Sequence, residues 1–248
     1  MWQNPKQLTP KQRQWRSLII DWSFHHQLSH LGSCLSTVDI LGAIYQVKKT
    51  DEKVVLSNGH AGIALYCHLF ELGKMSMDDI KKAHVHPDRN EKLGIDVSTG
   101  SLGQGWPIAL GLALSQPQKY VYATLSDGET TEGSIWETAR LISDWKVKNL
   151  ITIVNANGYA AYDEISTQAL MRKFSGFDFN FKQVDGHDLE GLKVVIKEAQ
   201  KASKPTLIFA STTVEQLPSL KGIDAHYHIL TKEEYQEAMN IWGQNESK

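Results

Sequence analysis

Cysteine is nearly absent: Cys34 and Cys67 are the only two among 248 residues, and they form no CxxC pair. That excludes a disulfide framework and a thiolate zinc site, and it fits a reducing compartment. No apolar run approaches the length of a membrane span, and the opening stretch MWQNPKQLTPKQRQW has no apolar core of a secretory signal. Arginine is scarce, with five in all, and neither sign of charge dominates. Lys plus Arg total 26 against 28 Asp plus Glu, a formal charge of −2. Nucleic acid and anionic membranes therefore lose their electrostatic basis as partners. Repeats, low-complexity tracts and linker-like stretches are missing too. What is there is 41% hydrophobic and 22% charged, the profile of a cytoplasmic globular protein with a substantial core, read as one domain over 1–248.

Helical and strand signals alternate from end to end. Helices are predicted over 12–27 (behind Thr9-Pro10 as cap and first turn), 36–47 (Ser36 or Thr37 as cap), 60–72, 76–83, from 102 through GQGWPIALGLALS, and over 133–145, 189–202 and 232–242. Strands are predicted over 54–56, 120–125, 150–154, 179–184 and 206–210. Continuous apolar strands separated by helices imply a parallel sheet covered on both faces. The fold class is α/β, a single doubly wound, mainly parallel sheet.

Two of the predicted strands end in suggestive loops. One runs into Ser126-Asp127-Gly128-Glu129, the next into Asn155-Ala156-Asn157-Gly158. Ligands of an open parallel sheet bind beyond the carboxyl ends of its strands, so both loops belong on one edge. Asp127 and Asn157 then offer hard oxygen ligands of the kind Mg²⁺ takes together with phosphate oxygens. Gly128 lets backbone approach a phosphate, and the following helix offers N–H groups to the anion. Taken singly, DG and NG are ordinary turn formers. Their pairing at successive strand ends makes a site.

The segment from Ser126 to Asp163 resembles the thiamine-diphosphate motif, and other segments resemble the transketolase family in the family's order: Ser29-His30-Leu31-Gly32, LSNGH ending at His60, His86-Pro87-Asp88, TGSLGQG from Thr99 to Gly105, and DAHYH around His226. The resemblance spans about residues 10–230. It implies a thiamine-diphosphate-binding fold of the diphosphate-binding type. Asp127 and Asn157 would bind Mg²⁺ or Ca²⁺ by side chain and Tyr159 by its carbonyl, and Gly128 would touch the diphosphate. Gly100, Ser101 and Leu102 would lie against thiamine. His30, His60 and His226 would line the thiazolium and substrate carbonyl, with His60 and His226 also counted as cofactor contacts and His228 competing for the last place. His86 would bond substrate hydroxyls. Glu132 would couple active sites by facing a partner subunit, although a carboxylate there also suits a helix N-terminus. Near neutral pH, imidazole suits such proton traffic. Three positions depart from the family: Ser126 replaces its first Gly, Leu31 its Pro, and Ala156 an acidic or amide residue. The stretch between His60 and His86 also looks short.

The implied activity is transfer of a two-carbon ketol unit between ketose and aldose phosphates, as in the pentose phosphate reactions. The family's second α/β domain, which holds the pyrimidine, has no room before Lys248. The expectation is therefore a separate C-terminal transketolase subunit carrying the pyrimidine-binding domain, in a dimer of heterodimers. Rivals are a deoxyxylulose-phosphate synthase-like protein, the α subunit of a 2-oxo acid dehydrogenase, and a degenerate, non-catalytic subunit. A nicotinamide dehydrogenase is disfavoured because no GxGxxG follows the first strand.

Overall fold

The computed structural model describes residues 7–160 and 163–243. Five strands, β1 (Lys53–Leu56), β2 (Val121–Ser126), β3 (Leu150–Ala156), β4 (Asn180–Asp185) and β5 (Thr206–Ser211), form one sheet in the order β1-β2-β3-β5-β4, every pair parallel. Successive strand residues point to opposite faces. On β3 and β5, Ile151, Ile153, Ile208 and Ala210 enter one core, while Leu150, Val154, Leu207 and Phe209 enter the other. The first core is roofed by α1 (Pro10–His25), α2 (Leu31–Val47), α3 (Gly62–Glu71), α8 (Leu189–Gln200) and α9 (Lys232–Trp242). The second lies under α5 (Gly105–Ser115), α6 (Gly133–Asp144) and α7 (Thr167–Phe174). A further short helix, α4 (Met77–Lys82), follows α3. The sheet is doubly wound, as expected. No helix among the described residues is long and apolar enough to cross a membrane.

Local signals held where the cap is local. Thr9 with Gln12, Ser76 with Asp79 and Thr231 with Glu234 each close a reciprocal capping box. Helix α2 corrects the sequence reading, because it begins at Leu31, with neither Ser36 nor Thr37 as cap. Both hydroxyls face inward instead and accept from the Asn155 side-chain amide at 2.9 Å. Helix α5 starts at Gly105, later than the predicted 102, because Gly103 holds φ 77°, outside the helical region. Helix α7, capped by Ser166, has no counterpart among the predicted elements.

One buried ion pair ties α1 to α2. Arg16 and Asp39, both fully buried, meet through two contacts, Nη1 to Oδ1 at 3.1 Å and Nη2 to Oδ2 at 2.5 Å. The Thr213 N–H donates to Nε2 of His187, so Nδ1 carries that ring's proton and donates to Asp39 at 2.9 Å. Burial opposes the Asp39 charge, but the Arg16 guanidinium and these hydrogen bonds outweigh it, holding the carboxyl well below its usual range. Removing one partner of such a pair strands the other in the core. Asp39→Ala is therefore expected to cost about 3–5 kcal/mol of stability, read as a urea midpoint. Arg140→Ala, which breaks only exposed pairs with Glu137 and Asp144, should leave the midpoint in place.

Candidate functional site

Parallel pairing places Ser126 beside Asn155, and the Asp127 N–H donates to the Asn155 carbonyl at 3.2 Å. The two loops therefore leave the sheet at one edge. The buried Asp127 carboxyl points between them, accepting from the Gly128 N–H at 3.0 Å and the Gly158 N–H at 2.7 Å. Burial pushes its pKa up to about 7, against the pull of those N–H groups, its own and that of Asn157. The Asn157 side-chain oxygen accepts from the Tyr159 N–H at 2.9 Å. Gly128 packs against the returning strand of this loop: a Cβ there would stand 3.2 Å from Ala160 Cα and 3.6 Å from the Tyr159 carbonyl oxygen. Gly128, Asn157, Tyr159, Leu102, His60 and His226 line one cleft.

Four histidines gather at this edge. The His30 ring lies 4.5 Å from His226, 5.4 Å from His60 and 6.4 Å from His86, centroid to centroid, and His60 is 5.4 Å from His226. His30 sits just before α2 in the left-handed region, φ 67°, where its N–H donates to the His226 carbonyl at 3.0 Å. Strained backbone of this kind concentrates at functional sites. Desolvation lowers the pKa of His60 to about 3 and of His30 to about 4, with neighbouring imidazoles adding to it, and lowers His226 as well. These rings are neutral near pH 7. Nδ1 of His30 is buried without a hydrogen-bond partner. His228 is engaged elsewhere, on Glu234 at 3.0 Å, so His226 is the one that joins the cluster.

The Gly-rich loop before α5 completes the wall. Leu102 reaches the cleft and Ser101 is exposed. Gly100, φ 145°, backs onto His86, whose Cγ would lie 2.8 Å from any Cβ placed there. Close approach also brings His86 in despite the short stretch before it: a Cβ on Gly62 would stand 2.2 Å from the Val85 carbonyl. Glu132 does not line the cleft. It occupies the position before α6, makes no side-chain cap bond, and packs against Gly103.

Sequence reading missed Glu129, Ser57 and Asn58. Glu129 is fully buried and accepts from Ser57, Gly103 and Ser126, while Asn58 bridges Thr37 and Thr124. Burial raises the Glu129 pKa, against those same hydrogen bonds. The available signal was a polar pair, Ser57-Asn58, directly after an apolar strand. Among the described residues, no cluster of three or more His, Cys, Asp or Glu is placed to hold a metal ion. Any cation here would draw on mixed side-chain and carbonyl oxygens.

Residues 13–248 match the family described as transketolase, thiamine diphosphate binding domain. The chain belongs to this family. A 6-deoxy-6-sulfo-D-fructose transketolase subunit of Clostridium sp. (strain MSTE9) is 31% identical, over 75% of this chain and 77% of the relative. An apulose-4-phosphate transketolase subunit of Actinobacillus succinogenes is also 31% identical, over 74% of this chain and 76% of the relative. The transketolase structure from Campylobacter jejuni superposes with a TM-score of 0.84 at 25% identity, covering 96% of this chain and 43% of that one. The chain thus spans about two fifths of that solved transketolase. It is a transketolase-type thiamine diphosphate domain whose relatives include named subunits.

The neutral histidines of this transketolase domain set a pH dependence. An unfolded chain takes up protons near pH 6.5, which folded His60 and His30 refuse until about pH 3 and 4. The unfolded state therefore binds more protons below 6.5, so stability falls as pH drops from 6.5 toward 4. His60 alone accounts for roughly 2 kcal/mol by about pH 5. The Asp127 carboxyl, raised to about 7, gains a proton on folding over the same range and offsets part of this loss. Between about pH 7.5 and about pH 5 the melting midpoint of His60→Asn should therefore move less toward instability than that of the wild type. Equal slopes would contradict the assignment.

Proposed function

We propose that this chain holds the diphosphate end of thiamine diphosphate, with Mg²⁺ or Ca²⁺, between the tips of β2 and β3. Paired with a separate polypeptide carrying the pyrimidine-binding domain, it transfers a two-carbon ketol unit from a ketose to an aldose, phosphorylated or similarly anionic. The buried Asp127 carboxyl, accepting from the N–H groups of Gly128 and Gly158 between the two strand tips, carries this reading.

The residues present fit both groups. With its pKa raised to about 7, the Asp127 carboxyl lacks a compensating charge, and a divalent ion supplies one. Asp127, Asn157 and the Tyr159 carbonyl offer the hard oxygens such an ion prefers. Gly128, without a side chain, lets the Ala160 segment close in and puts bare backbone in the cleft wall, where a diphosphate could approach. The unpartnered Nδ1 of His30, a ring packed beside His60 and His226, is a buried polar atom that a ligand would satisfy.

When bound, thiamine diphosphate supplies the electron sink that stabilises the two-carbon unit. The chain's own part is orientation and proton transfer. His30, His60 and His226, neutral near pH 7, accept protons from substrate hydroxyls and return them at the carbonyl oxygen. His86, on the exposed side of the cluster, hydrogen-bonds substrate hydroxyls. Gly100, Ser101 and Leu102 lie against thiamine. Glu132 faces the partner.

Support for a partner comes from the relatives named as subunits, of which the chain spans about three quarters. Helix α5 also leaves Ile108 and Leu114 exposed beside Gly111, which has open space above it. Exposed apolar residues on such a helix suit burial by a second chain. Free, buried Cys34 and Cys67 suit the cytoplasm. Of the three family departures, Leu31 is fully buried at the start of α2 and is not part of the cleft lining.

Calorimetry with thiamine diphosphate and Mg²⁺ tests the cofactor reading. Asp127→Asn keeps the shape and removes the charge, and should weaken binding on the order of 100-fold. Unchanged affinity would remove Asp127 from the site. Assayed with ketose and aldose phosphates, the chain alone should be inactive and should gain turnover on addition of the pyrimidine-domain subunit. Full turnover without it would overturn the partner requirement.

A further inference from the structure

Three loops of the cleft converge on one carboxylate that lies outside it. Glu129 follows Asp127 in a single 3-10 turn, Gly128–Thr131, and is fully buried. Its Oε1 accepts from the Ser57 hydroxyl at 2.5 Å and from the Gly103 N–H at 3.1 Å. Its Oε2 accepts from the Ser126 N–H at 2.9 Å and lies 3.3 Å from the Ser126 hydroxyl, which in turn accepts from the Glu129 N–H at 3.2 Å. Each of these donors adjoins a residue of the cleft. Ser57 opens the loop that carries His60, Gly103 follows Leu102, and Ser126, just before Asp127, lines the cleft itself.

The loops are pressed together around it. A Cβ on Gly105 would stand 2.5 Å from Ser57 Cα, one on Gly59 would stand 2.6 Å from the Gly100 nitrogen, and one on Gly103 would stand 2.5 Å from the Ser134 hydroxyl. At such spacings a side chain that spans the gap must accept on both oxygens, because every neighbouring group aimed at it is a donor. An ionised or shared carboxylate meets that demand, and hydrogen bonds to it are stronger than those to a neutral amide. Glutamine of the same shape would set its NH₂ against a donor and leave a buried group unpaired.

We infer that Glu129 is a positioning residue: it fixes His60, Leu102 and Asp127 relative to one another and so sets the affinity for thiamine diphosphate without touching it. This rests on the cofactor reading above. The alternative is that Glu129 serves the fold at large. The two differ in what else moves when it is replaced.

Glu129→Gln and Ser57→Ala separate them through three measurements on the purified chain: melting midpoint, amide hydrogen exchange by peptide, and titration with thiamine diphosphate plus Mg²⁺. Glu129→Gln is expected to weaken cofactor binding by about tenfold or more. Exchange should rise in peptides covering 57–60 and 99–105, while β3 stays as protected as in the wild type. Ser57→Ala, which removes one donor, should change binding and the 57–60 exchange in the same direction by less. The proposal is overturned if both variants bind the cofactor as the wild type does. It is equally overturned if exchange in Glu129→Gln rises in β3 as much as in the loops, with Ser57→Ala binding normally. A wild-type chain that binds no thiamine diphosphate would bring down the cofactor reading first, and this inference with it, before any variant is made.

Discussion

Parallel strands end on the same edge, and that constraint makes everything else at this site possible. β2 and β3 pair in the register Ser126 to Asn155, so the residues just beyond them leave the sheet side by side. Asp127 can then accept N–H groups from its own loop and from the next one, Gly128 and Gly158, thirty positions apart. β1 pairs with β2 on the other side and delivers Ser57 to His60 to the same edge. One slip of register would turn Asn155 from the α2 side of the sheet to the other and break both its bonds to that helix.

Beneath the cleft, a buried polar chain fixes α2 to the sheet. The Thr212 hydroxyl donates to Asn155, whose amide donates to Ser36 and Thr37; Asn58 donates to Thr37 and accepts from Thr124. Polar side chains in a core are costly unless paired, and each of these is paired. The arrangement therefore rigidifies as well as satisfies, since α2 cannot shift along the sheet without breaking several bonds together. His30 stands at the N-terminal end of that helix, and its place beside His60 and His226 inherits this rigidity. The Arg16–Asp39 pair plays the same part deeper in the first core, joining α1 to α2.

These long-range bonds also explain where sequence reasoning stopped. Thr9 was legible as a cap because the partner it needs lies three residues away, and the boxes at Ser76 and Thr231 span the same distance. Ser36 and Thr37 look the same locally and mean something different, because their partner is Asn155, on a strand more than a hundred positions later. The strands were placed to within a residue or two because unbroken apolar runs have few other uses. Helix α7 is short and begins close to an irregular loop, so its one amphipathic turn pair gave little periodicity to detect. At the site, motif order brought out the four histidines and Asp127, whereas Glu129 reads in sequence as an acid in a turn. Its meaning appears only when Ser57 and Gly103, remote in the chain, are seen to donate to it.

Charge accounts for the division of labour that this reading requires. Neither Lys nor Arg lines the cleft among the described residues, and burial keeps His30 and His60 neutral. Four of the five arginines are already engaged: Arg13 with the Ile241 carbonyl, Arg16 with Asp39, Arg89 with Glu91 and Arg140 with Glu137 and Asp144. The chain thus brings neutral proton carriers and backbone N–H groups, with little fixed positive charge at the cleft. On the reading proposed above, a diphosphate held here would need a divalent ion at Asp127 to balance it, since N–H dipoles alone leave most of its charge uncompensated. By the same reading, an anionic sugar terminus would need cations from another surface.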